Sequence, residues 1–392
     1  MENKYLWKNL VSSLLLSSLL MNEVGAGTTR GKEKRAVIEI SSEEEKSEEA
    51  KAVEKSRIDY TNTTEREKLY TQQELTEESK AAIAEFEAFI EEQKQHPYIK
   101  SSQTEVEYKR KKVNQLLMKL SGVPEEVALI ENITVDAEND NYKIPVKQYR
   151  ADTKKPTKEL ILFIHGGGWT HGSFDTYDYF CRKLVRTTNR DVATLEQRLS
   201  PEHACPIPLN DVMSVYIHYY SSKYRHIILC GDSSGASLII TLCIKAFERG
   251  IDRPHALVLL YPVLSNNFES RSFKTFGNCI ALSEKAIAKY VSNYAGRPYN
   301  SANAQSNKFV YPNLEENMNV YPKIMLISAG YDASLDGQLD FIEKFKKSER
   351  EDYVHILDEG AIHGYMTYGR YFDALITKNC KKIRDFLDGK LR

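Results

Sequence analysis

The chain has 392 residues, 54 Lys and Arg against 55 Asp and Glu, and is 41% hydrophobic and 10% aromatic. That length suits one large domain or two ordinary ones, and the composition excludes a fibrous or wholly disordered protein. Nearly cancelled charge gives no global field for nucleic acid, and a mean hydropathy of -0.49 is too polar for a multi-span membrane protein.

Residues 1–26 read as a secretory signal peptide. Lys4 and Lys8 flank the start of the apolar run Leu10 to Met21, and the small residues Gly25, Ala26 and Gly27 follow. The run is about 12 residues against the roughly 20 that span a bilayer. A retained N-terminal membrane anchor and an incidental apolar helix are therefore the weaker alternatives, and a secreted or lumenal glycoprotein is the expectation. The sequons begin at Asn62 and Asn132.

From Gly27 to about Thr71 charge dominates, with the run Glu43-Glu44-Glu45 and few aromatic residues. Too little apolar surface is available there to offset chain entropy, so residues 27–71 are expected to be a disordered, solvated segment, with an acidic partner-binding tail as the alternative. Apolar residues then recur at helical spacing from Leu75 to Glu92 and from about Thr104 to Leu120. Two helices within 72–122 are expected to precede the main domain, and Gly122 and Pro124 break the pattern.

Eight short apolar runs follow within 123–392: Val127 to Val135, Lys143 to Tyr149, Glu159 to Ile164, Asp191 to Leu195, His226 to Cys230, Ala256 to Leu260, Lys323 to Ser328 and Tyr353 to Leu357. From the third onward they alternate with longer helical patterns. This predicts an α/β fold with an eight-stranded, mostly parallel sheet covered by helices on both faces. About residues 265–320, rich in Asn and Ser, read as an insertion above the sheet. The six cysteines show no metal-ligand spacing, and neither a metal nor an organic cofactor is expected.

Chemistry concentrates in the loops after four of these runs. Gly231-Asp232-Ser233-Ser234-Gly235 stands between a strand and the helical pattern Ala236 to Phe247, the context of a nucleophile elbow, and position selects Ser233 over Ser234. After the third run stands His165-Gly166-Gly167-Gly168-Trp169, whose consecutive glycines suit backbone N–H groups facing an oxyanion. A phosphate loop is the rival reading, but neither a Gly-Lys-Ser/Thr ending nor a G-x-G-x-x-G pattern is present. A serine needs a base, and the base an orienting carboxylate. Asp332 follows the seventh run and His363 the eighth, in the order serine, acid, histidine. Asp336 is the runner-up acid, and His355 reads as sheet-facing because it alternates within a strand. The expected oxyanion donors are Gly166, Gly167, Gly168 and Ser234. Trp169, Phe174, Tyr177 and Tyr179 are candidate pocket walls. The stripe Phe86, Phe89, Ile90 is expected to pack on the body, with lining an acyl or sterol pocket as the alternative.

Together with Arg198-Leu199-Ser200-Pro201-Glu202-His203, Pro206, Pro208 and Asp211, these blocks resemble the hormone-sensitive-lipase-like branch of the α/β-hydrolases, which holds arylacetamide and sterol deacetylases and acetyl esterases. The resemblance spans about Leu75 to the C-terminus. It implies the α/β-hydrolase fold with a helical cap, and a Ser233, Asp332, His363 triad acting on a small-molecule ester; from the charge balance no nucleic acid is expected as a partner. It also implies that the Arg198 block is structural. Two departures stand out: Gln197 where the family has Tyr, and Ser234 where it has Ala. A short-chain acyl ester is the expected substrate. The alternatives are an amide or carbamate hydrolase, and a non-catalytic small-molecule receptor on the same scaffold, although such receptors typically lack the histidine found here at 363. Contact with a membrane stays open through the N-terminus alone.

Overall fold

The computed structural model describes residues 63–95, 98, 104–138, 140–155 and 157–391. The expected signal peptide at 1–26, most of the charged segment and the Asn62 sequon lie outside the described residues; Asn132 is exposed on an edge strand. Three helices come first: α1 (Thr63–Thr71), α2 (Glu77–Gln95) and α3 (Glu105–Leu120). Strands β1 (Leu129–Asp136), β2 (Lys143–Arg150) and β3 (Glu159–Ile164) follow, then α4 (Phe174–Thr188), β4 (Asp191–Leu195), α5 (Ile207–Tyr220), β5 (His226–Asp232), α6 (Ser233–Glu248) and β6 (Ala256–Leu260). After β6 come α7 (Arg271–Phe276), α8 (Glu284–Ala295) and α9 (Ala302–Gln305), and the chain closes with β7 (Lys323–Tyr331), α10 (Leu335–Lys347), β8 (Tyr353–Ile362) and α11 (Gly369–Leu387).

The eight strands form one sheet in the order β1-β2-β4-β3-β5-β6-β7-β8. The β1–β2 and β2–β4 pairs are antiparallel and the remaining five are parallel. Strand side chains alternate between two cores. Leu160, Leu162 and Ile164 of β3 face one core, shared with Leu209 of α5, Leu242 of α6 and Phe341 of α10. Ile161 and Phe163 face the other, shared with Phe180 of α4 and Ile376 of α11. Both faces of β3 are therefore dry, which is why it reads as an unbroken apolar run.

The expected disorder of residues 27–71 is corrected at its end, because 63–71 form helix α1. Its charge does not leave it solvated: Leu69 is buried, and Arg66 reaches across to Asp336 and Asp340 of α10 at 2.6 and 2.9 Å. A long-range ion pair supplies the docking that local apolar periodicity does not. Helix α3 begins with the capping box Thr104/Glu107, Thr104 Oγ1 accepting the Glu107 N–H at 3.2 Å. Strands β5, β7 and β8 run two to five residues past their expected ends, to the residues that carry the site.

Candidate functional site

Ser233 sits where β5 turns into α6, with a left-handed backbone (φ 49°) that a non-glycine residue adopts only under constraint. The constraint is the approach of β3. A Cβ on Gly235 would press into the Ile164 carbonyl and come 2.6 Å from that of His165. Only glycine lets the first turn of α6 pass the end of β3 this closely, and the tight turn pushes the Ser233 side chain out of the sheet.

His363 lies just beyond β8. Its Nε2 is 2.7 Å from Ser233 Oγ and its Nδ1 is 2.7 Å from Asp332 Oδ2. An ionised carboxylate only accepts, so Nδ1 carries the proton and Nε2 is left to accept from the serine hydroxyl. Asp332 is itself held: its Oδ1 accepts the Ser334 N–H at 2.8 Å and the Ser334 hydroxyl at 2.9 Å, and Gln338 Nε2 donates to Oδ2 at 3.4 Å. All three groups are buried, with Asp332 1% exposed. The sequence-predicted serine, acid and histidine are thus brought together in one hydrogen-bonded chain. The runner-up Asp336 is turned away, onto Arg66 and Tyr70, and His355 is buried against Ser328 Oγ at 3.0 Å.

The glycine loop requires a correction. The Gly166 N–H donates to Asp232 Oδ1 at 2.7 Å and so is not directed at Ser233. Gly167, Gly168 and Ser234 do line the pocket at Ser233, and among the described residues neither glycine N–H has a protein acceptor. Gly167 has φ 103°, a conformation that L side chains avoid. The loop is fastened to the elbow by Trp169, whose N–H donates to Ser234 Oγ at 3.1 Å, and its indole stacks on Tyr294 at 4.7 Å. Gln197 is buried behind it, donating to the His165 carbonyl at 3.2 Å. Ser234 and Gln197 therefore both brace the loop.

Asp232 was missed as a site residue. Burial pushes its carboxyl up to about 7, because only the Gly166 N–H and the Tyr177 hydroxyl, at 3.3 Å, reach it from other residues. Its place in the G-x-S-x-G pattern was the signal available. Burial also keeps His165 neutral, pulling it down to about 4.

The pocket has a volume of about 100 Å³ and its walls are mostly apolar. Phe86, Phe89 and Ile90 of α2 and Leu116 of α3 form one side, Tyr290 of α8 another, and Tyr368 lies beyond His363. The α2 stripe therefore lines the pocket as well as packing, Phe86 against the Tyr368 ring at 5.7 Å. Trp169 and Tyr177 are walls as expected. Phe174 and Tyr179 are not. Phe174 lies at the start of α4 with Lys147 Nζ 4.9 Å over its ring, and Tyr179 is buried with its hydroxyl on Asp373 at 2.6 Å. Phe174 shares a face with the pocket-lining Tyr177 but stands one turn earlier, at the N-terminal end of α4 and short of the pocket, while Tyr179 is two residues on and turns to another face.

The Arg198 block braces the body. Arg198 makes a bidentate contact with Asp211, with Nη2 to Oδ1 at 2.6 Å and Nε to Oδ2 at 3.0 Å. Glu202 pairs with Arg110 of α3 at 2.7 Å, and Arg110 also donates to the Thr170 carbonyl at 2.6 Å. All six cysteines are unpaired. Among the described residues no group of three or more His, Cys, Asp or Glu could hold a metal ion, and no helix is long and apolar enough to cross a membrane.

A family model described as alpha/beta hydrolase fold matches residues 161–367, more than half of the chain. The carboxylic ester hydrolase LipN of Mycobacterium tuberculosis is 32% identical over 163 residues, covering 39% of this chain and 43% of LipN. A gibberellin receptor of Arabidopsis thaliana is 26% identical over 243 residues, covering 59% of this chain and 67% of the receptor. The chain spans about half the length of the first curated relatives it matches. An ester hydrolase from the metagenome of Lake Arreo superposes with a TM-score of 0.70 over 80% of this chain and 99% of that one, at 21% identity, a likeness of fold. Sheet order, the strand-to-helix turn at Ser233 and the match from β3 to beyond β8 agree, and the chain belongs to the α/β-hydrolase fold family.

Proposed function

We propose that this protein is a serine hydrolase that cleaves carboxylic esters of short acyl groups through an acyl-enzyme. The observation that carries the reading is the chain Ser233 Oγ, His363, Asp332, with 2.7 Å at each link. His363 Nε2 takes the hydroxyl proton as Ser233 Oγ attacks the ester carbonyl, forming the new C–O bond. Asp332 keeps the imidazole in the required tautomer and stabilises the imidazolium. The N–H groups of Gly167, Gly168 and Ser234 hold the oxyanion, each such donor being worth about 3–4 kcal/mol in reactions of this kind. His363 then returns the proton to the departing alcohol. Water, deprotonated by the same imidazole, releases the acid.

The small, apolar pocket favours an uncharged ester with an acyl group of few carbons, and the sequence blocks favour the deacetylase and acetyl-esterase branch. The similarity to a gibberellin receptor raises a second reading, ligand binding without turnover. His363 weighs against it, because a binding pocket gains nothing from a base oriented on a serine hydroxyl.

The test is turnover of p-nitrophenyl acetate, butyrate and longer esters by wild type, Ser233→Ala and Ser234→Ala. Ser233→Ala is expected to lose at least about a thousandfold in kcat. A wild-type protein that turns over no ester and takes no organophosphate label would overturn the hydrolase reading and move weight to the receptor, and turnover of anilides alone would make it an amide hydrolase. The secretory address read from residues 1–26 is a separate proposal, tested by N-terminal sequencing of the mature protein.

A further inference from the structure

The acid and base stand on two separate turns, and one short stretch of chain grips both. Asp336 follows Asp332 in the turn that opens α10 and is 4% exposed. Its Oδ1 accepts from Arg66 Nε at 3.0 Å, from Arg66 Nη2 at 2.6 Å and from the Tyr70 hydroxyl, and its Oδ2 accepts the Ser272 N–H at 2.8 Å. Ser272 Oγ in turn donates to the Ala333 carbonyl at 2.7 Å. The turn that carries Asp332 is thus held from two sides, by α1 and by α7.

The His363 turn is held from the same stretch, a few residues on. Gly360 donates its N–H to Gln73 Oε1 at 3.0 Å, and its carbonyl accepts from Ser79 Oγ at 2.8 Å and from the Thr76 N–H at 3.3 Å. Both polar groups of the Gly360 backbone are therefore satisfied by residues 73–79. Gln73 also lies against Gly330, where a Cβ would run into its Oε1. It is wedged between Gly330 near the end of β7 and Gly360 near the end of β8, two residues before the acid and three before the base.

We propose that residues 66–79 are a strap that positions the acid and base. Arg66 and Tyr70 act through Asp336 on the Asp332 turn, and Gln73 and Ser79 act through Gly360 on the His363 turn. This rests on the reading of Ser233, Asp332 and His363 as a triad. No strap residue lines the substrate pocket, so each is a positioning residue. The leverage comes from geometry: a misplacement of about 1 Å caused far from the chemistry can cost about a hundredfold in rate. A strap that holds the turns without touching the ester is expected to act on kcat and leave KM alone.

The experiment compares full-length wild type, Ser233→Ala, Arg66→Met, Arg66→Lys, Tyr70→Phe and Gln73→Leu on p-nitrophenyl acetate, well below each variant's own melting temperature. Arg66→Met and Gln73→Leu are expected to lower kcat at least about tenfold with KM within about twofold. Arg66→Lys, which keeps one donor for Asp336, recovers part of the loss. Should Arg66→Met fail to fold, Tyr70→Phe and Gln73→Leu decide, since Tyr70→Phe keeps the ring packed near Phe276 and removes only the hydroxyl. Folded variants with kcat within about twofold of wild type, or with kcat falling only in step with the folded fraction, overturn the strap and leave the triad standing. Wild type without turnover, or Ser233→Ala with full turnover, removes the triad reading and the strap's role with it.

Discussion

The N–H of Gly166 and the carboxylate of Asp232 meet at 2.7 Å, and this contact fastens the glycine loop to the residue before Ser233. Because burial pushes the Asp232 carboxyl up to about 7 from an ordinary 3.8, the folded protein keeps a proton that the unfolded chain has released. The linkage sign follows: Asp232's contribution to stability is complete below about pH 4 and is lost as pH rises through about 7. His165, pulled down to about 4 by burial, has the opposite slope but is common to wild type and variant. Asp232→Asn, which keeps an acceptor and carries no charge, is therefore expected to gain on wild type by several degrees in melting temperature between about pH 4 and pH 8. Parallel melting curves across that range would mean that Asp232 is already charged at acid pH.

Ser234 is the second test. Its hydroxyl accepts the Trp169 N–H at 3.1 Å in a buried place. Ser234→Ala keeps the backbone donor but leaves that N–H unpaired, at a cost of about 1–2 kcal/mol. We expect a fall of a few-fold in kcat with one organophosphate still bound per chain, read by mass spectrometry. Complete loss of labelling would instead mark Ser234 as the nucleophile.

Pocket size is tested at Phe86, whose ring packs 5.7 Å from that of Tyr368. Phe86→Ala opens space in the pocket wall, at a cost of about 1–3 kcal/mol in stability because the ring is only partly buried. The ratio of kcat/KM for p-nitrophenyl octanoate to that for acetate is expected to rise about tenfold. An unchanged chain-length profile would place the acyl group elsewhere.

The cap helix α3 depends on Arg110, which donates to the Thr170 carbonyl at 2.6 Å and to the Ser200 carbonyl at 3.2 Å and pairs with Glu202. Arg110→Met removes all three contacts and is expected to destabilise by about 2 kcal/mol. Because Leu116 and Leu117 of the same helix line the pocket, KM should rise several-fold while kcat changes less. Urea unfolding and steady-state kinetics on the same sample check both.

Much of this was legible in the chain itself, and the exceptions share a cause. The strands of the parallel sheet are apolar on both faces, so each announces itself as a short run bounded by turns. Ser233, Asp332 and His363 each follow such a run, which is why order along the chain was enough to find them. Helix α1 was missed because it docks through Arg66 onto Asp336, a pair separated by 270 positions, and among its described side chains only Leu69 is core. The direction of the Gly166 N–H, and the reach of the pocket along α4, which takes in Tyr177 and leaves out Phe174 one turn earlier, depend on tertiary placement, which a run of glycines or a single aromatic letter does not encode.

The docking of α1, α2 and α3 onto the far end of the chain sets a constraint on synthesis. Their partners include Asp336 for Arg66, and Tyr371, whose hydroxyl donates to Glu85 at 3.0 Å. A ribosome delivers residues 63–120 before residues 335–387. At about 5–20 residues per second, Phe86, Phe89 and Ile90 wait roughly 15–60 s for the completed surface that covers them. The order of translation runs against the order of assembly, and the apolar stripe of the newborn chain stays uncovered, a target for chaperones, until α11 has emerged.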